Sequence, residues 1–232
     1  MTDPIYRCPD HGFTTLPRCV QCGQSPEKVL SGDRRRRLSK FVSGALRHFP
    51  DGAGLELDEQ GWTDYDDLAA VVTRKYDWAE REHVAAVVAT DPKGRFERRE
   101  AEEGTPTGPW IRATYGHSVD VDLDDGETDT EKREADEADE IPDRLYHGTA
   151  PGNLDSIRAE GLDSMKRNEV QLSETPAEAR EVGSRHASEP VVLEVDVGGM
   201  VAGGLRVSKR GKGVFTADEV PPEYPEVRKG KK

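Results

Sequence analysis

The chain has 232 residues, a formal net charge of −13 and only 34% hydrophobic residues. With a mean hydropathy of −0.80, this is a highly soluble composition, and its length leaves room for two small lobes. No apolar run approaches the roughly 20 residues that span a bilayer, and no charged-then-apolar leader opens the sequence. A cytoplasmic protein without membrane contact is therefore expected. So acidic a chain repels RNA at low salt, so any RNA site requires a local basic patch. Arg34, Arg35, Arg36 and Arg37 supply one.

The first thirty residues hold all three cysteines. Cys8-Pro-Asp-His11 and Cys19-Val-Gln-Cys22 are two pairs with two-residue spacers, the pattern that wraps a tetrahedral zinc ion from two tight turns. Four protein ligands leave no open position, so a structural zinc is expected rather than a catalytic metal. The plainer alternative is three free thiols and a surface histidine.

From Arg34 towards Pro50, Leu38, Phe41, Val42, Ala45 and Leu46 recur at helical spacing, and Pro50 with Gly52 is read as the stop. Leu55 and Leu57 alternate with polar residues, which predicts a short strand before Gly61-Trp62. Thr63–Asp66 opens a second helix with Leu68, Val71 and Val72 on its buried stripe. A third helix is expected near 79–89. Two strands, 95–98 and 110–114, follow, joined by the Gly/Pro-rich loop 104–109. Three helices and a β-hairpin are the winged-helix order. Residues 121–143 are dominated by Asp and Glu without hydrophobic period and read as a solvated linker.

After the linker the pattern changes. Leu145–Thr149 reads as a strand entering a tight turn, with a helix marked by Leu154, Ile157 and Leu162. Strands at 170–173 and 191–195 flank a helix near 176–183, short strands run on to Pro222, and the tail is basic.

Several blocks resemble one family. Leu38-Ser-Lys-Phe-Val-Ser-Gly-Ala-Leu-Arg47-His48 and Gly54-Leu-Glu-Leu-Asp-Glu-Gln-Gly-Trp62 look like the opening of the tRNA 2′-phosphotransferases. Lys93-Gly-Arg95-Phe96, Ile111–Ser118, Tyr146-His147-Gly148-Thr149, Met165-Lys-Arg167-Asn168, Val182–His186 and Val220-Pro-Pro222 continue the match in order. The resemblance covers roughly 34–225 and leaves the cysteine leader and the acidic insert outside the family core.

The resemblance implies an α+β protein: a zinc-binding segment (1–30), a winged-helix RNA lobe (31–120), the acidic linker (121–143), an ADP-ribosyltransferase-like lobe that holds NAD (144–225) and a basic tail (226–232). It implies NAD-dependent removal of an internal 2′-phosphate from RNA, such as that left at a tRNA splice junction. In the implied reaction the 2′-phosphate displaces nicotinamide from NAD, giving ADP-ribosylated RNA. A ribose hydroxyl then takes the phosphate, releasing 2′-OH RNA and ADP-ribose 1″,2″-cyclic phosphate. A monomer acting on RNA and NAD, with no catalytic metal, is expected.

The family's essential Arg-His-Arg-Arg set falls on Arg47, His48, Arg95 and Arg167. Planar, permanently charged guanidinium groups suit a reaction that concentrates negative charge on phosphorus, and an imidazole can move a proton near neutral pH. Residue by residue, the plain alternatives are a helix-dipole partner for Arg47-His48, a wing contact for Arg95 and a surface charge for Arg167. His147, Gly148, Thr149, Gln171, Ser173 and Arg185 are the expected NAD contacts; a buried histidine satisfied by backbone is the alternative for His147. The family pattern of His-Val-His-Leu-Ser is here Glu169-Val-Gln171-Leu-Ser173, which replaces two histidines. Two other functions remain open: ADP-ribosyl capping of terminal phosphates on the same scaffold, and a non-catalytic zinc and winged-helix RNA-binding protein.

Overall fold

A computed structural model describes residues 2–100, 108–123, 141–164 and 168–228. Most of the acidic linker, part of the predicted 104–109 loop, Arg167 and the end of the basic tail lie outside the described residues. The chain forms two compact units, one of residues 1–114 with 121–123, the other of residues 115–120 with 124–232.

The first unit opens with three strands, β1 (Ile5–Cys8), β2 (Gly12–Thr14) and β3 (Glu27–Leu30), in the antiparallel order β2-β1-β3. Ile5 and Leu30 are buried in the same core as Leu38, Val42 and Leu46 of α1 (Gly32–Arg47). The cysteine-bearing segment is thus part of this unit's hydrophobic core. Ser31 caps α1 by accepting from the Arg34 amide, which satisfies one of the four unpaired N–H groups at a helix start.

The arginine run is not one surface. Successive helical residues point about 100° apart, so Arg35 turns inward, where its Nη1 donates to the Asp3 carbonyl (3.0 Å) and its Nη2 to that of Thr90 (2.8 Å). Burial pushes its pKa down. Arg36 pairs with Asp33, and Arg34 and Arg37 are exposed.

Helix α1 ends earlier than Pro50. His48 is its C-cap, Phe49 leaves helical space (φ −147°, ψ 51°), and Pro50 is the first residue of a one-turn helix, α2 (Pro50–Ala53). A residue before proline is driven out of the α region, while proline's fixed φ suits a helix start. The strand predicted around Leu55 and Leu57 does not form. Asp58 Oδ1 instead accepts from the amides of Gln60 and Trp62, closing a turn, and Leu55 is buried by the core without a ladder. Then come β4 (Thr63–Asp64), α3 (Tyr65–Lys75), capped by Asp64 Oδ1, and α4 (Arg81–Ala89). The hairpin β5 (Phe96–Arg99) and β6 (Trp110–Ala113) completes a sheet in the order β4-β6-β5.

The second unit is built on a six-stranded antiparallel sheet. Its strands are β7 (Arg144–Thr149), β9 (Val170–Ser173), β10 (Val191–Asp196), β11 (Val207–Gly211), β12 (Val214–Ala217) and β14 (Pro225–Val227), in the order β11-β12-β9-β7-β10-β14. A separate pair joins β8 (Leu162–Asp163) to β13 (Glu219–Val220). The helices are α5 (Leu154–Glu160), α6 (Pro176–Gly183) and α7 (Val197–Ala202). Leu162 belongs to a strand rather than to the helix expected there, because Gly161 (φ 85°) ends α5. Leu145, Leu172, Leu193, Val195 and Phe215 form this unit's core.

Candidate functional site

In the first unit, α1 delivers Arg47 and His48 to its C-terminal end, and the turn before β5 delivers Arg95. Arg47 is 9% exposed, and its Nη2 lies 3.5 Å from the Arg95 carbonyl. That carbonyl also accepts from the Thr114 amide (3.0 Å). Arg95 is aimed by Asp91, which accepts from the Arg95 amide (2.6 Å), from Nε (2.7 Å) and from Nη2. Ser39 Oγ accepts from the same Nη2 at 3.0 Å. The Asp91 carboxylate is 3% exposed and the Arg95 side chain 26%, so a covered anion anchors a cation that still reaches solvent. His48 is exposed at the helix C-cap, its amide donating to Gly44. Three of the four predicted phosphate residues therefore share one end of one unit. Asp91 and Ser39, which hold Arg95, were not singled out from the sequence; an acid four residues before Arg95 was the available signal.

Arg167 lies outside the described residues. Its neighbour Asn168 donates from its amide to the His117 carbonyl (3.1 Å) and from Nδ2 to that of Val119 (2.8 Å).

The second unit carries the predicted NAD contacts. His147 Nδ1 is 3.0 Å from the Gln171 carbonyl. Desolvation pushes its pKa down, and the nearby His186 adds to the effect against the opposing backbone hydrogen bond. A neutral ring with its Nδ1 proton on that carbonyl fits both facts. The side-chain nitrogen of Gln171 is buried with no partner among the described residues, an orphaned donor of the kind that a polar ligand satisfies. Thr149 is buried and accepts from Asn153 Nδ2 (3.2 Å). Gly148 serves packing: a Cβ there would lie 1.8 Å from the Ala179 carbonyl of α6. Ser173 pairs with Tyr146 across β9 and β7, while Arg185 is exposed in the turn that follows α6, beside Glu181 (3.8 Å). Glu169, the other departure from the family pattern, accepts from Arg210 Nη2 and Thr216 Oγ1, both at 2.9 Å. Its carboxylate thus secures the β9–β12 side of the sheet.

Cys8, His11, Cys19 and Cys22 gather their ligand atoms within 4.8 Å of one another. Cys8 Sγ is 3.5 Å from His11 Nδ1 and 3.7 Å from Cys22 Sγ, and Cys19 Sγ is 3.6 Å from His11 Nδ1. Tetrahedral zinc, with bonds near 2.3 Å to sulfur and 2.0–2.1 Å to nitrogen, sets ligand edges of about 3.5–3.8 Å. The Cys19 thiol is drawn down to about 6, chiefly by hydrogen bonding from the backbone at Cys22 and Gln21. The cluster can hold a metal ion.

The sequence model of the family described as "RNA 2'-phosphotransferase, Tpt1 / KptA family" matches residues 33–219. The chain belongs to this family. A Haloarcula marismortui protein named "Probable RNA 2'-phosphotransferase" is 52% identical over 227 residues, covering 97% of each chain. An Archaeoglobus fulgidus protein, "Probable RNA 2'-phosphotransferase 2", is 43% identical and covers 88% of this chain and 85% of its own. A Methanosarcina mazei protein, "Probable RNA 2'-phosphotransferase", is 36% identical over 95% of this chain and 97% of its own. The family match begins after the cysteine hairpins, whereas the Haloarcula match is too long to leave out the first thirty residues. Among the described residues, no helix is long and apolar enough to cross a membrane.

Proposed function

We propose that this chain removes an internal 2′-phosphate from RNA, such as a tRNA splice-junction phosphate, with NAD as co-substrate. The products are 2′-OH RNA, ADP-ribose 1″,2″-cyclic phosphate and nicotinamide. The observation that carries this reading is the Arg47–Arg95 pair, with Arg95 fixed by the covered carboxylate of Asp91, in a chain whose family membership is established.

In this reading Arg47 and Arg95 bind the 2′-phosphate and stabilise the charge that gathers on it. Held guanidinium groups do so without reorganising during the reaction. Arg167 completes the set that the resemblance gives. His48 moves a proton to or from a ribose hydroxyl, a role suited to an imidazole in contact with water. NAD supplies an electrophilic ribose carbon and a nicotinamide leaving group. His147, Gly148, Thr149, Gln171, Ser173 and Arg185 hold it, and the unpartnered amide nitrogen of Gln171 is the feature that favours such a ligand there. The second unit is then the ADP-ribosyltransferase-like lobe, and the first unit's helices and hairpin the winged-helix RNA lobe. Cys8, His11, Cys19 and Cys22 hold one structural zinc, and no catalytic metal takes part. The protein acts as a cytoplasmic monomer.

The test supplies the purified protein with NAD and either internally 2′-phosphorylated or 5′-phosphorylated RNA, without added magnesium. Nicotinamide released in step with 2′-OH RNA, from the first substrate, supports the reading. Nicotinamide released only with the second, leaving an ADP-ribosyl cap, replaces it with terminal-phosphate capping. RNA bound with NAD untouched replaces it with a non-catalytic RNA-binding role.

A further inference from the structure

The chain carries 46 acidic residues, yet from Arg34 to Pro50 there is neither Asp nor Glu. That acid-free stretch is α1 beyond Asp33 together with the helix exit, and it carries one side of an aromatic ladder. Phe49 lies 6.1 Å from Phe41, Phe41 lies 5.7 Å from Tyr76 in an edge-on contact, and Tyr76 lies 5.3 Å from Trp78. Cations are set among the rings. Lys75 Nζ is 5.0 Å from the centre of the Phe41 ring, and the Arg34 guanidinium carbon is 4.8 Å from that of Trp78.

Arg34 and Lys75 are exposed, Phe49 is 43% exposed, and the other three rings are half-buried against the core. One carboxylate, Asp77, stands between Tyr76 and Trp78 in the chain. The ladder starts at Phe49, the residue after His48, at the C-terminal end of α1 that also carries Arg47.

We propose that this ladder is a docking surface for single-stranded RNA flanking the reacting nucleotide: its rings and the Arg34 plane stack bases, while Arg34 and Lys75 face phosphates. The proposal rests on the reading of the substrate as RNA. Aromatic faces interleaved with cations fit a strand that alternates flat bases with anions, and every base offers such a face, so the surface is tolerant of sequence. A cation already resting on an aromatic ring presents a flat, weakly hydrated plane to a further ring. The missing acids matter as much as the rings. In a chain this acidic, a helix whose one carboxylate, Asp33, lies in its first turn and pairs with Arg36 is where a polyanion approaches with least repulsion. An acidic peptide would use the cations and leave the rings idle, which makes the ring variants decisive.

The test measures binding of a fluorescent, unphosphorylated single-stranded RNA to the full chain by anisotropy, without NAD, across a salt series. Trp78→Leu weakens binding about tenfold, the scale of a lost base stack, and leaves the salt slope unchanged. Phe49→Ser, at an exposed position, weakens it in the same sense and serves if Trp78→Leu fails to fold. Arg34→Gln with Lys75→Gln weakens binding and lowers the slope of log affinity against log salt by about 0.7 per cation. Wild-type affinity and slope in all these variants overturn the proposal. So does competition by an acidic peptide with Trp78→Leu and Phe49→Ser without effect, or self-association of the wild type that these substitutions abolish. A wild type that binds this RNA but releases no nicotinamide from NAD with a 2′-phosphorylated strand removes the proposed activity and leaves the docking surface standing.

Discussion

The Asp91–Arg95 clamp gives the sharpest mutational test of the proposed phosphate site. Asp91→Asn keeps the size of the side chain and leaves one oxygen to accept from the Arg95 amide. It removes the charge and turns an NH2 group towards the guanidinium, so the bonds to Nε and Nη2 are lost. A hydrogen bond to a charged group contributes about 1.5–3 kcal/mol. The carboxylate is 3% exposed but its partner is 26% exposed, so water recovers part of the loss and a net cost of about 2 kcal/mol is expected. For a chain of this size that lowers Tm by roughly 4–8 °C. Arg95, left with the Ser39 hydrogen bond and the Phe96 ring beside it, loses its aim, and kcat falls on the order of 100-fold, the scale of a lost transition-state donor. Differential scanning fluorimetry and single-turnover release of 2′-OH RNA measure the two effects. A lowered Tm with kcat within twofold of wild type would reduce the clamp to a structural feature. An unchanged Tm would contradict the burial argument itself.

Elemental analysis of protein prepared under reducing conditions finds about one zinc per chain, as four ligands imply, and Cys22→Ser loses it. Because Ile5 and Leu30 of the same sheet lie in the first unit's core, chelation lowers the thermal midpoint of that unit; a midpoint insensitive to chelator would separate the cluster from stability. His147 has its pKa lowered in the folded state, so protonation favours the unfolded chain. That stability is complete above the ordinary histidine value of about 6.5 and is lost as pH falls below it. His147→Asn flattens the fall in Tm between pH 7 and 5, and an equally steep fall in the variant would assign it to other groups. Gly148→Ala drives a Cβ to 1.8 Å from the Ala179 carbonyl, where backbone cannot yield cheaply, and costs about 3 kcal/mol or more; soluble protein with wild-type Tm would show that α6 is free to shift.

The elements written in local chemistry were legible. Helix openings were expected at Thr63–Asp66 and near 176, and the structure starts α3 after the Asp64 cap and α6 after the Thr175 cap. The cysteine spacing located the cluster because two-residue spacers leave few other geometries. What failed were patterns with a tertiary or turn-level cause. Leu55 and Leu57 alternate like a strand, but Asp58 takes two backbone amides and bends the chain instead. Helix α7 went unseen because Val197-Gly-Gly-Met-Val-Ala has poor intrinsic propensity; its Asp196 cap and the burial of Val197 and Met200 carry it. Four consecutive arginines looked like one patch, but helical geometry sent Arg35 inside. At the candidate site, residue identities were readable but not their supports. Nothing in the sequence announces that Ser39 and Asp91, 52 positions apart, hold the same guanidinium, since that pairing exists only once α1 and the β5 turn have packed.

The central claim is that the phosphate itself leaves the RNA. RNA carrying a radioactive internal 2′-phosphate, incubated with the protein and NAD, reports this directly. The account predicts that the label moves into a small cyclic phosphate of ADP-ribose while the RNA strand stays intact, and that Arg47→Ala and Arg95→Ala slow the transfer together. Label that remains on the RNA, or appears as inorganic phosphate whether or not NAD is present, would contradict it.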